Sequence, residues 1–144
     1  MKFLTNLFLL ISSLIASTGD AMSQNPARPL IAIQCQVNKA EIAPAFSEAL
    51  CNNILDAAKA RWENAEVFAF ADAAEYDIRI SVQVELQNAN SAVYRLFWGN
   101  QQAWTDGIEA STDDIWMRMT DVPLNEFMAQ RLVKGIFSSI NVDL

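Results

Sequence analysis

Histidine is missing from all 144 positions of the chain. Without an imidazole, no Ser-His or Cys-His nucleophilic pair can be built. A Ser-Lys pair would have to use Lys39, Lys59 or Lys134, which read as ordinary solvated lysines. Positive charge is sparse as well: 10 Lys and Arg face 17 Asp and Glu, a net charge of −7. That balance lacks the electrostatic footprint for nucleic acid or an anionic membrane surface. Acidic clusters are thin. Asp72 with Glu75, and Asp113 with Asp114, do not approach the spacing of a calcium loop, and they read as strand-terminating acids. No metal or cofactor is expected. Spacing alone does not rule on a carboxylate pair for glycoside hydrolysis, but the chain leaves little room for a cleft.

Long apolar runs are also scarce, and the longest stands at the start. Lys2 precedes an apolar stretch that ends near Ile15, short of the ~20 residues that span a bilayer. Small residues follow, with Ala21-Met22-Ser23 the best cleavage site, so residues 1–23 read as a secretory signal. No cysteine lies near that site, and no stable membrane anchor is expected after cleavage. The 121 residues left of the 144 suffice for one domain. Residues 24–29 form an extended leader kept from helix by Pro26 and Pro29. Residues 30–144 form a single α/β domain.

What is there is well patterned. Ile31, Ile33, Cys35 and Val37 share one face of a strand. Residues 44–62 read as a helix whose apolar arc holds Phe46, Leu50, Cys51, Ile54 and Ala58, opposite Glu48, Asn52, Asp56 and Lys59. The two cysteines, Cys35 and Cys51, therefore lie on the buried faces of adjacent elements, and an exported chain favours their pairing as a disulfide. Residues 67–71 are apolar on both faces and read as an internal strand. Residues 76–87 alternate Ile78, Ile80, Val82, Val84 and Leu86 with polar residues, the clearest strand of the chain, with one face buried and one wet. A turn at 88–91 leads to a return strand, 92–98. Residues 102–111 read as a weaker fifth strand with Gly107 as a bulge, and 115–119 as a short edge strand. A last helix, capped by Asp121 with Pro123 in its first turn, runs to about residue 138, and Gly135 within it is expected to allow close packing.

The order β-α-β-β-β-β-α predicts an α+β fold: a two-layer α/β sandwich with a mostly antiparallel sheet covered on one face by two helices. A right-handed β-α-β crossover opens it. The return strand then poses a problem. Tyr94, Leu96 and Trp98 take one face, so Val93, Arg95 and Phe97 must lie on the other. That set is either packed as ordinary sheet surface, covered by another segment, or used to bind a partner; on the last reading Arg79, Val93, Arg95, Phe97 and Trp104 are the candidate partner-binding residues.

In layout the chain resembles small envelope domains of the TolB N-terminal and LptE types. The resemblance is carried by the first strand and helix 46–60, the strand entry Ala74-Glu75-Tyr76-Asp77-Ile78-Arg79-Ile80, the return strand 93–98 and the terminal helix 124–137. It covers most of residues 30–140 and departs from the lipoprotein members in lacking a lipidation cysteine. It implies work by contact with other proteins and transfers no catalytic residue. The expectation is an exported, non-enzymatic protein, periplasmic or secreted, that binds an envelope protein as an accessory or adaptor. The rival reading is a small-ligand-binding protein with a pocket between sheet and helices lined by Trp62, Trp98 or Trp104. An enzyme using acidic residues alone ranks third.

Overall fold

A computed structural model describes residues 27–118 and 121–142. The expected signal segment, residues 24–26 of the leader, and Met119 of the expected edge strand lie outside the described residues. The elements in order are β1 (Leu30–Asn38), α1 (Pro44–Arg61), β2 (Glu66–Ala69), β3 (Ile78–Asn88), β4 (Ser91–Gly99), α2 (Gln101–Asp106), β5 (Ala110–Ser111), β6 (Ile115–Arg118) and α3 (Glu126–Gly135). A short 3-10 segment, Ile136–Ser139, continues α3.

The strands form one sheet in the order β2-β1-β3-β4, with β5 and β6 both pairing with β4. β1 is parallel to both of its neighbours, and the pairings made by β4 are antiparallel. The fold is thus α+β with a mixed sheet. β2 lies at the edge of that sheet, not inside it. Its apolar character on both faces has another cause. Val67 turns toward the helices, while Phe68, in register with Ala32, turns to the other face.

Register assigns every strand residue to a face. Ile33, Ile80 and Trp98 align across β1, β3 and β4, as do Cys35, Val82 and Leu96. This inner face meets α1 and α3. Ile31, Ile80, Val82 and Leu96 from the sheet pack with Phe46, Leu50, Ile54 and Ala58 of α1, and with Ala129 and Val133 of α3 and Ile136 beyond it, in one buried cluster. The polar half of α1 expected from periodicity, Glu48, Asn52, Asp56 and Lys59, is exposed. Cys35 and Cys51 are joined, with Cα atoms 5.6 Å apart, within the range a disulfide requires.

Two elements depart from the sequence reading. Residues 102–111 are not a strand. Asn100 Oδ1 accepts a hydrogen bond from the Ala103 N–H and starts α2, and Gly107 at φ 68° ends it as a left-handed cap, not as a bulge. Only Ala110–Ser111 pairs with β4. The last helix also starts later than expected. The Leu124 N–H donates to Ala89 O, tying that residue to the β3–β4 turn, so the cap falls to Asn125, whose Oδ1 accepts from the Met128 N–H. A Cβ placed on Gly135 would meet nothing within 4 Å, so no close packing depends on that glycine.

Candidate interface on the outer face of the sheet

The face of the sheet turned away from α1 and α3 collects all the candidate residues picked from sequence, but in two groups. Arg79, on β3, is opposite Gly99 of β4. Its guanidinium lies 3.8 Å from the Phe70 ring centroid and 4.1 Å from that of Trp104. Trp104 Nε1 donates to Arg79 O at 3.2 Å, and Arg79 Nη2 donates to Gln34 Oε1. α2 delivers Trp104 to this place because Gly99 lets the chain fold back tightly: a Cβ there would come within 3.0 Å of Ala103 Cβ. The result is a small cap over the outer face. Ser81, expected on a wet face, is 0% exposed between Gln34 of β1 and Phe97 of β4. Arg79 Nε, Ser81 Oγ and Glu109 Oε2 are buried without a protein partner. Arg79 and Trp104 are committed to each other.

The second group stays open. Val93, Arg95 and Phe97 project from alternate positions of β4, opposite Glu85, Gln83 and Ser81. Arg95 Nε donates to Asp114 Oδ1 at 2.8 Å, and the Arg95 guanidinium stands 5.8 Å from the Phe97 ring centroid. Both members of this ion pair are about half exposed, so it orders the surface more than it stabilises the fold. On the other side of Glu85, Lys39 Nζ lies 3.2 Å from Glu85 Oε1. A shallow cavity of about 280 Å³ runs between these side chains and Trp116.

Trp116 belongs to this group although sequence reasoning did not select it as a candidate. It pairs with Val93 and is 59% exposed. The alternation Ile115-Trp116-Met117 carried the signal, since Ile115 and Met117 turn toward the core and leave Trp116 on the outer face. Asp114, read as a strand-terminating acid, serves as the partner of Arg95.

The tryptophans of the rival reading are dispersed. The Trp62 ring packs on Phe137 with centroids 5.1 Å apart, Trp98 aligns with Ile80 on the inner face, and Trp104 is on the outer face. Trp98 and Trp104 therefore cannot line one pocket. Burial raises the Tyr94 phenol above its ordinary pKa of 10.0. Among the described residues no group of three or more His, Cys, Asp or Glu side chains is placed to hold a metal ion, and no helix is long and apolar enough to cross a membrane. No family model, curated protein or solved structure matches this chain.

Proposed function

We propose that this chain is an exported, non-enzymatic protein of the bacterial envelope that acts by binding another protein through the outer sheet face, as an accessory or adaptor. The observation that carries the reading is the exposed Trp116 set beside Val93, with Arg95 and Phe97 next along β4. Trp and Arg are the side chains most often found at energetic centres of protein interfaces, and a flat row of them has little use in an isolated domain. The disulfide accords with an oxidising compartment. The histidine-free composition argues for binding over catalysis.

Crosslinking in intact cells, followed by purification of the tagged chain and mass spectrometry, tests the proposal. The expected result is one reproducible envelope partner whose crosslinks map to residues 79–118. Phe97→Asp and Trp116→Ala should each weaken that partner by about thirtyfold or more while the far-ultraviolet dichroism stays unchanged. A monomer that captures nothing, or crosslinks confined to the helix layer, would overturn it.

A further inference from the structure

The opposite side of the molecule carries a second feature, independent of the outer sheet face. α1 and α3 run in roughly the same direction: Glu126 neighbours Ala49 and Asn53, while Phe137 and Ser138 neighbour Ala60 and Arg61. Between their C-terminal halves lies a groove of about 680 Å³, well within the ~300–1,000 Å³ typical of small-ligand sites. Ala57, Ala60, Val133 and Phe137 give it an apolar stretch, and Asn53, Gln130 and Ser138 add polar side chains to its lining. Val133 and Phe137 are 6% and 4% exposed, so the apolar stretch is the outer skin of the hydrophobic core. The groove is hollow because α1 presents alanines there, at positions 57 and 60.

Its rim is cationic. Arg61 and Lys134 flank the groove, each in the last turn of its helix, where the helix dipole favours a cation. Convergence of the two helices adds the two charges. Among the described residues neither makes a hydrogen bond or an ion pair, a state they share with Lys59 and Arg118, whereas Lys39 is held by Glu85, Arg95 by Asp114, and Arg28 by the carbonyls of Glu63 and Ala65. At the other end of the same helix pair, Glu48 and Glu126 line a separate depression. A chain of net charge −7 thus places two unpaired cations at one end of an apolar trough and carboxylates beyond the other.

We propose that this groove binds a single-chain amphiphilic anion, a fatty-acid carboxylate. The head group sits between Arg61 and Lys134, where charge-assisted hydrogen bonds are available from both. The chain lies over Ala60, Ala57 and Val133, removing apolar surface from water. The carboxylates at the far end set the polarity of binding, since a reversed ligand would bring its head group toward Glu48 and Glu126.

Isothermal titration of the full, disulfide-bonded chain with dodecanoate below its micellar concentration is the test. A single saturable site is expected, with no matching heat from dodecyltrimethylammonium. Arg61→Gln with Lys134→Gln should weaken binding by about tenfold or more. Ala60→Phe, at an exposed position, should abolish binding without moving the urea midpoint. Trp62 packs at a tilt against Phe137, so tryptophan emission should shift on binding, and Trp62→Phe should remove the shift but not the heat. Absence of saturation, equal binding of the cationic amphiphile, or indifference to the groove variants overturns the proposal. Binding of an acidic amphipathic peptide in place of dodecanoate, or a dimer that Ala60→Phe dissociates, assigns the groove to another occupant and overturns it as well.

Discussion

Arg79 and Tyr94 lie on opposite faces of the same sheet, paired across β3 and β4 with Gly99 and Val84. The Arg79 guanidinium, set between the Phe70 and Trp104 rings, exchanges water for two aromatic faces and the Gln34 amide oxygen. Tyr94 faces the inner side, opposite Val84, where its charged form would be poorly solvated, and its pKa is raised. An acid whose folded pKa is raised holds its proton more tightly when folded than when unfolded. Its contribution to stability is therefore complete below the ordinary value of 10.0 and is lost as pH climbs through the folded pKa. Urea midpoints between about pH 9 and pH 11 should fall in the wild type, and fall less in Tyr94→Phe. Parallel curves for the two proteins would show that Tyr94 is not the group responsible. Arg79 was legible from sequence as a residue of the polar sheet face, and Trp104 as a candidate contact residue. That they occupy each other was not, because the donor and acceptor that join them are separated by 25 positions.

At the scale of elements, length and period decide what a sequence shows. β3 alternates over 11 residues, and α1 presents its apolar arc over 18. Both are long enough for their period to exclude the other reading. α2 has six residues, less than two turns, so Trp104 and Ile108 in residues 102–111 mimic a weak strand. The informative residue is Asn100, a turn former that acts as a helix cap. The same ambiguity shifted the start of α3 from Asp121 to Asn125, since several residues there can cap and only the backbone bond from Leu124 to Ala89 selects one. The disulfide acts at this scale too. It joins β1 to the middle of α1 across 16 residues of sequence separation, and closure of such a loop is worth about 3 kcal/mol. Cys51→Ser should lower the unfolding free energy by that amount in urea titrations without reductant, and reductant should destabilise the wild type but not the variant. Two free thiols in protein purified without reductant would end this prediction.

Over the whole molecule, one buried cluster reaches from β1, β3 and β4 through α1 to α3 and the segment beyond it. Leu50 lies within that cluster and is 0% exposed. Leu50→Ala should cost about 2–5 kcal/mol. Because the cluster is continuous, unfolding should remain a single transition in which dichroism and tryptophan fluorescence coincide. Separate transitions for the two probes would show that the helix layer and the sheet do not unfold as a unit. The two surfaces proposed for binding lie on opposite sides of this core, so Phe97→Asp and Ala60→Phe should act without coupling.

The sequence by itself determined the long strands and the two long helices, which of their apolar residues face the core, and that Cys35 and Cys51 lie on facing surfaces. These are properties of spacing within one element, and a period is readable wherever the element is long enough. The tertiary structure alone decided that β2 lies at the edge beside β1, and that α2 brings Trp104 over Arg79 on the outer face. It also decided that Trp116 joins Val93 and that Arg61 and Lys134 meet at one groove. Each of these depends on pairings between distant segments. A strand apolar on both faces reports that both faces are covered, not where its edges lie, and a lone cation at a helix end does not announce which other helix ends beside it.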